Sequence, residues 1–206
     1  MSNLSRQKPQ LRIPSLERFI PVADPALGVD ASQISDVAKQ RHYARYAAIV
    51  QLIKGQVGKR DLVMDIGCGT GYGTFMLSQH FRRVMGIEPD DFARRYAAKH
   101  YPEVLFANDP GDLVPDVAVM IESMEHMSEP EFGLYVQGAR VLAVTTPIVE
   151  RPDNSYHVHA FRKAEDVHEY VNRWDFRPCA IKVHTDIQFT TNEHGSNLYG
   201  VYLRAV

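Results

Sequence analysis

The order of its apolar and amphipathic segments limits this chain to one class of fold. Between residues 35 and 174, short continuous apolar runs alternate with segments whose apolar residues recur at a helical period. A short continuous apolar run predicts a strand buried on both faces, and strands alternating with helices predict a mostly parallel sheet covered on both sides. We therefore expect an α/β fold. Two late apolar runs joined by a short polar loop predict a hairpin, so the sheet should end antiparallel.

The predicted elements account for most of the chain. Predicted helices cover residues 35–53, 74–81, 90–101, 129–137 and 163–174. Predicted strands cover residues 62–66, 83–88, 103–108, 116–122, 139–147, 178–186 and 197–206. Pro102 should end the third helix, and Pro147 should end the fifth strand. In such folds, ligands bind beyond the carboxyl ends of the strands, where the strand order switches direction.

The chain is expected to form one domain behind an irregular arm. Its 206 residues suit a single domain, which we assign to residues 35–206. Residues 1–34 carry prolines at positions 9, 14, 21 and 25, which interrupt any regular helix or strand. Apolar side chains in this arm favour docking on the domain over a disordered tail.

Charge and cysteine content narrow the classes of function. The chain has 23 basic and 25 acidic residues, so nucleic-acid binding is not indicated, although a basic patch on one face is compatible with this balance. Two cysteines, outside any metal-type spacing, are too few for a disulfide framework and favour a cytoplasmic location. No apolar run is long enough to span a membrane, and the N-terminus lacks a signal-peptide core.

A glycine-rich loop, within "LVMDIGCGTGYG", follows the first predicted strand. Gly67, Gly69 and Gly71 follow Asp65 in the pattern D-x-G-x-G-x-G. A dinucleotide fingerprint would require glycine at position 72, where Tyr72 stands, and a phosphate-binding loop would require a following Lys-Ser or Lys-Thr pair. The loop therefore predicts that a ligand approaches the backbone closely, and it does not require that ligand to contain a pyrophosphate.

Two acidic residues extend this loop into a predicted nucleoside site. Glu88 ends the second strand, 23 residues after Asp65, where a carboxylate accepts both ribose hydroxyls and disfavours a 2′-phosphate. Asp109 follows the third strand and can accept a hydrogen bond from the exocyclic amine of a base.

Four segments in this order resemble the motifs of class I S-adenosylmethionine (SAM)-dependent methyltransferases. They are "VMDIGCGTGYG", "GIEPD", "FANDP" and "DVAVMIESMEHM", and the resemblance runs from about residue 36 to the C-terminus. It implies a Rossmann-like sheet of seven strands, six parallel and one antiparallel. It also implies an enzyme with SAM as methyl donor and S-adenosyl-L-homocysteine as product.

The resemblance assigns cofactor contacts residue by residue. The glycine loop faces the methionine part of SAM, Glu88 holds the ribose, and Asp109 lies near the adenine. Glu122 and Met124 line the methyl-donor end. On the helix before the loop, Tyr46 either covers the amino-acid end of SAM or only packs in the core, and Tyr43 and Arg45 are further candidates. The predicted cofactor-binding residues are Tyr46, Asp65, Gly67, Cys68, Gly69, Gly71, Glu88, Pro89, Asp109 and Glu122.

Three residues are candidate catalytic groups, because methyl transfer to a hydroxyl needs a base. His126 and Glu122 follow the fourth strand, and the imidazole titrates near neutral pH, although His126 can instead only shape the loop. His157 lies in "NSYHVHAF", which resembles methyltransferases found beside glycan-synthesis genes. His159 alternates with His157. These histidines with Glu122 or His126 can in principle bind a metal, but their spacing fixes no geometry and we expect none.

These residues predict methyl transfer to a small-molecule or sugar acceptor, at oxygen. The chain has "ESME" where amino-methylating enzymes carry Asn/Asp-Pro-Pro-Tyr, and it has no Pro-Cys pair near the fourth strand. Two alternatives stay open: a nucleic-acid or protein methyltransferase, and a SAM-binding subunit or sensor without catalysis. The glycine spacing disfavours an NAD-dependent dehydrogenase.

Overall fold

The computed structural model describes residues 36–148, 157–187 and 194–205. The predicted arm, residues 1–34, and the first part of "NSYHVHAF" lie outside these ranges. The helices are α1 (Asp36–Ile53), α2 (Tyr72–Ser78), α3 (Asp91–His100), α4 (Glu129–Val136) and α5 (Ala164–Asn172), with a 3-10 turn at Met124–His126. The strands are β1 (Leu62–Ile66), β2 (Arg83–Ile87), β3 (Leu105–Ala107), β4 (Val117–Ile121), β5 (Val141–Ile148), β6 (Phe176–Ile187) and β7 (His194–Arg204).

The strands form one seven-stranded sheet in the order β3-β2-β1-β4-β5-β7-β6. Strand β1 pairs in parallel with both β2 and β4, so the strand order switches direction there. Strand β7 runs antiparallel between β5 and β6. The predicted α/β fold, the hairpin and the antiparallel strand are confirmed. The switch point places the carboxyl ends of β1 and β4 side by side, where a ligand is expected.

The core explains why β1 and β4 are continuous apolar runs. All five residues of each strand are buried, because helices cover both faces of the sheet. Met64 and Ile66 contribute to a cluster on one face, with side chains of α4 and α5. Val63 points to the other face, where it joins a cluster with side chains of α1 and α2. Among the described residues, no helix combines the length and apolarity needed to cross a membrane.

Two predicted boundaries are wrong in an informative way. Helix α2 begins at Tyr72, two residues before the predicted start, because Gly71 takes a left-handed φ of 82° and turns the chain straight into the helix. Strand β5 continues through Pro147, which is in register with Asn197 of β7. The Thr145 carbonyl faces β4 and accepts a hydrogen bond from the Glu122 amide. Backbone groups two residues apart in a strand face the same side, so the nitrogen of Pro147 also faces β4, but the pairing of β4 with β5 ends at Thr145. The missing N–H of Pro147 therefore breaks no ladder bond.

Candidate active site

The glycine loop connects β1 to α2 at the carboxyl edge of the sheet. Its three glycines, Gly67, Gly69 and Gly71, have φ values of 74°, 56° and 82°, in the left-handed region that favours glycine. The amides of Gly67 and Cys68 donate to the Ile87 carbonyl at 2.9 and 3.1 Å, which fixes the loop to the end of β2. A Cβ placed on Gly69 would meet no atom within 4 Å, so the loop offers its backbone to open space there.

Asp65, at the end of β1, has no exposed surface and is held by two hydroxyls. Tyr46 Oη donates to both of its carboxylate oxygens, at 3.2 and 3.1 Å, and Thr74 Oγ1 donates at 2.7 Å. Burial raises the pKa of Asp65 to about 7, against the effect of these hydrogen bonds, and the charge of Glu88 adds to the rise. A cation bound nearby would stabilise the ionised form of this carboxyl.

Tyr46 lies in the core between α1 and α2. Its side chain is 4% exposed, and a Cβ on Gly73 would overlap its ring. Tyr72 contacts the same ring edge-on, with centroids 5.9 Å apart. Tyr46 therefore packs in the core and also holds Asp65. Its contact with the amino-acid end of SAM stays a prediction.

Glu88 joins the end of β2 to the glycine loop. The carboxylate is 1% exposed, accepts the Gly69 amide on Oε2 at 2.8 Å, and accepts the Asp90 amide on Oε1 at 2.8 Å. Burial raises its pKa. Pro89 is exposed beside it. Exposed Asp109 accepts the Gly111 amide at 3.0 Å and so shapes its own turn, and its position near the adenine stays a prediction.

Cys68 is a packed residue of the loop. Its thiol is buried, and burial raises its pKa well above the usual range, so the reactive thiolate is disfavoured. A Cβ on Gly86 would approach its sulfur at 2.8 Å, which shows how closely β2 passes the loop.

Glu122 begins a second group of polar side chains, at the carboxyl end of β4. Its φ of 53° is unusual for a residue with a side chain, and such values are concentrated at functional sites. Thr145 Oγ1 donates to Glu122 Oε1 at 2.8 Å, and Arg45 Nη2 lies 3.6 Å from Oε2. Helix α1 thus supplies Arg45 to Glu122 and the neighbouring Tyr46 to Asp65, linking the two groups.

Glu125, His126 and His157 complete the second group. Glu125 is 2% exposed and accepts from Thr146 Oγ1 on Oε2 at 3.1 Å. Burial, and then repulsion by Glu122, raises its pKa well above the usual range. The rings of His126 and His157 meet edge-on with centroids 4.9 Å apart. Burial and the charge of His126 lower the pKa of His157 to about 4, so its imidazole is neutral at pH 7.

Backbone hydrogen bonds fix the segment that carries His157. The amides of Val158 and His159 both donate to the Glu125 carbonyl, at 2.8 and 3.0 Å. Residues far apart in the chain are thereby held together beyond β4. The predicted groups His126 and His157 are thus in contact, Glu125, outside the predicted catalytic set, lies beside them, and Glu122 precedes Glu125 by three residues.

Three threonines were missed by sequence reasoning. Thr74, Thr145 and Thr146 each donate a hydrogen bond to a carboxylate of the site. Thr145 and Thr146 lie within an apolar strand, and Thr74 lies in a helix next to the loop, so no spacing pattern distinguishes them from packing residues.

Comparisons with known proteins agree with this geometry. A probable SAM-dependent methyltransferase of Saccharomyces cerevisiae is 33% identical over 85 residues, covering 36% of this chain and 29% of that protein. A protein of the same description from Mycobacterium tuberculosis (strain CDC 1551) is 28% identical over 116 residues, covering 51% of this chain and 42% of that protein. Magnesium protoporphyrin IX methyltransferase from Synechocystis, solved with bound S-adenosylhomocysteine, superposes with a TM-score of 0.61 at 17% identity, covering 86% of this chain and 88% of that one.

The sheet order, the D-x-G-x-G-x-G loop and the acid after β2 give the chain the fold of class I SAM-dependent methyltransferases. Residues 64–143 match the family described as a methyltransferase domain. SAM is the methyl donor of this class. The chain spans 29% and 42% of the length of the two curated relatives, so the activity and acceptor of the whole protein are treated as proposals below.

Proposed function

We propose that this chain binds SAM along the carboxyl ends of β1, β2 and β3 and transfers its methyl group to a hydroxyl of a small molecule or sugar. The observation that carries the acceptor assignment is the edge-on contact of the His126 and His157 rings, beyond the carboxyl end of β4. Two imidazoles next to the predicted methyl-donor end supply the proton acceptor that a hydroxyl requires.

The residues beyond β1 and β2 fit SAM. The open backbone at Gly69 allows close approach, and the Glu88 carboxylate lies directly behind it at hydrogen-bond distance. Asp65 adds a buried carboxyl, held by Tyr46, whose ionised form complements a cation. When bound, SAM supplies a methyl group on a positively charged sulfur. The chain's own part is to fix donor and acceptor in line, which contributes at most about 7–11 kcal/mol to lowering the barrier.

His157 has the protonation state of a base at neutral pH. Because its pKa is lowered to about 4, the imidazole is neutral at pH 7. This is the form that accepts a hydrogen bond from the hydroxyl and orients it, and His126 is then the stronger candidate for the base. The amides of Val158 and His159, bound to the Glu125 carbonyl, hold this segment in place. A positioned base of this kind contributes about 10²- to 10⁴-fold in rate.

Methyl-labelled SAM tests the acceptor class. The full chain is incubated with host extract separated into small molecules, glycans, nucleic acids and proteins. We expect label in the small-molecule or glycan fraction. Label in nucleic acid or protein instead would overturn the acceptor assignment, and bound SAM without label in any fraction would favour a subunit or sensor.

Single-turnover kinetics tests the histidines. His126→Ala and His157→Ala should each slow methyl transfer by about 10²-fold, with SAM affinity unchanged. His80→Ala is the matched control, since His80 is exposed at the far end of α2. If transfer in both variants matches the control, neither histidine serves the chemistry.

A further inference from the structure

We propose that Glu125, His126 and His157 bind a divalent first-row transition-metal ion, which holds the acceptor hydroxyl. This inference rests on the proposed function for its acceptor hydroxyl and replaces the histidine base of that proposal with an ion, while the binding site itself rests on geometry alone. One ligand atom from each residue lies within 4.8 Å of the other two. The site departs from the sequence expectation of no metal, because the chain spacing of these residues gives no hint of their proximity.

The distances are those of an open ligand set that closes on an ion. Ligands 2.0–2.2 Å from a shared metal lie about 3.0–3.5 Å from one another in octahedral or tetrahedral geometry. His126 Nε2 is 4.0 Å from Glu125 Oε1, so this pair needs to approach by less than about 1 Å. The widest pair of ligand atoms lies within 4.8 Å and needs to approach by up to about 1.3–1.8 Å, for which the half-buried rings of His126 and His157 rotate about their side-chain bonds.

The donor atoms select the kind of metal. Two imidazole nitrogens and one carboxylate oxygen suit Mn²⁺, Fe²⁺, Co²⁺ or Zn²⁺, whereas Mg²⁺ and Ca²⁺ prefer oxygen ligands. Three protein ligands also leave coordination positions for water or an acceptor hydroxyl, as in catalytic rather than structural metal sites.

The surroundings of Glu125 orient it as a ligand. Thr146 Oγ1 donates to Oε2, which leaves Oε1 on the side of His126. The carbonyl of the same residue fixes the His157 segment through two amide hydrogen bonds. Supporting contacts of this kind orient the ligands of metal sites.

The charge balance also favours a cation here. Arg45 lies 3.6 Å from Glu122 and its charge also acts on Glu125, so one guanidinium serves two carboxylates. Glu125 is buried more deeply than Glu122, where an anion is costly unless a positive charge is close. A divalent ion bound by Glu125 would add positive charge beside this pair of carboxylates.

The metal would activate the hydroxyl in place of a histidine base. The acceptor oxygen binds the ion, which lowers the pKa of the hydroxyl, and the proton leaves to solvent water. The oxygen then forms a bond to the methyl carbon while the carbon–sulfur bond breaks and its electron pair stays on sulfur. In this arrangement both imidazoles are ligands and keep their ring nitrogens bound to the ion.

Cobalt binding tests the site directly. The full chain without a histidine tag is freed of metal by chelation and titrated with Co²⁺, and visible absorption and calorimetry are recorded. We expect one equivalent to bind with new visible bands. His157→Ala and Glu125→Gln should weaken binding at least about 10-fold, while His80→Ala binds as the parent does.

Two results would overturn the inference: no Co²⁺ binding above that of the His157→Ala variant, or equal affinity in all variants. Far-UV circular dichroism verifies folding, and His157→Ala, on a half-buried side chain, keeps the test valid if Glu125→Gln fails to fold.

Chelation separates this inference from the proposed function. Metal-free protein should still bind SAM, and methyl transfer should return on adding Mn²⁺, Co²⁺ or Zn²⁺. Methyl transfer at the full rate by metal-free protein would agree with the proposed function and would show that the reaction does not need the metal. Stoichiometric metal binding without transfer to any hydroxyl would support the site and overturn the proposed acceptor.

Discussion

Asp65 is a carboxyl group without exposed surface at the end of the central strand, and its protonation links the fold to pH. Tyr46 and Thr74 satisfy the charged form with hydroxyl donors, yet burial outweighs them and brings the pKa to about 7. The native state therefore binds a proton between about pH 4 and 7 that the unfolded chain has released. Stability contributed by this proton is present at low pH and is lost as pH rises through 7.

Asp65→Asn should remove this pH dependence. Asparagine does not titrate, so the free energy of unfolding of the parent, relative to the variant, should fall by up to about 4 kcal/mol between pH 4 and 7. Urea unfolding at each pH measures this difference. Asp112→Asn, on an exposed loop, is the control. Parallel profiles for parent and Asp65→Asn would mean that the native carboxyl titrates normally.

Glu88→Gln should weaken SAM binding about 10- to 100-fold, because a charged acceptor is lost while the volume is kept. Calorimetric titration with SAM gives the dissociation constant. Glu103→Gln changes an exposed carboxylate after α3 and should leave affinity unchanged. Equal affinity in all three proteins would show that Glu88 only supports the loop through Gly69 and Asp90.

The sequence predicted Asp65 and the polar residues that follow strands, and it missed the three threonines that hold their carboxylates. Glu88, Glu122 and His126 could be identified because each comes directly after an apolar run, at the edge where ligands bind. Thr146 could not, because its hydroxyl reaches Glu125 only through the pairing of β5 beside β4. The closeness of His157 to His126 likewise depends on backbone hydrogen bonds between distant segments.

Helices α1 and α2 pack together and hold Asp65, on which the proposed SAM-binding part of the site depends. The Tyr46 ring lies directly against the backbone of Gly73, and this close approach lets its hydroxyl reach Asp65. The sequence showed the apolar stripe of α1 but not its partner, because a glycine gives no apolar signal. The start of α2 was also misplaced, because the left-handed turn at Gly71 leads directly into the helix.

Gly73→Ala should disrupt this pair although alanine favours helix. The added methyl group overlaps the Tyr46 ring, so we expect a loss of about 1–3 kcal/mol in the free energy of unfolding and weaker SAM binding. Gly55→Ala is the matched control, because its Cβ would meet no atom within 4 Å. Thermal and urea unfolding measure both. A Gly73→Ala protein as stable as Gly55→Ala would contradict the close contact.

For the whole molecule, strand β7 connects β6, at the edge of the sheet, to the rest of the fold. Strand β7 is inserted between β5 and β6, and Arg204 at its end donates to the carbonyls of Val136, Ala139 and Trp174 at 2.7, 2.7 and 2.9 Å. Its guanidinium also lies 4.5 Å from the centre of the Phe176 ring. The alternation of elements and the late hairpin predicted a sheet that ends antiparallel, whereas the insertion of β7 between β5 and β6 was not predicted, because a hairpin pattern does not show which of its strands joins the sheet.

Arg204→Ala should therefore cost about 2–4 kcal/mol in the free energy of unfolding, because three carbonyls lose a charged donor together. Urea unfolding is the measurement. Arg177→Ala removes an exposed arginine of β6 that donates to the Phe176 carbonyl at 3.3 Å, and it should change stability by less than about 0.5 kcal/mol. Similar losses in the two variants would contradict the role given to Arg204.

The most direct test of the whole account is the position of the transferred methyl group. The full chain is given SAM labelled with ¹³C on the methyl and the acceptor fraction that takes up label, and the product is examined by ¹³C NMR. The account predicts a methyl carbon bonded to oxygen, on a small molecule or sugar. A methyl carbon bonded to nitrogen, sulfur or carbon, or SAM binding without any product, would contradict it.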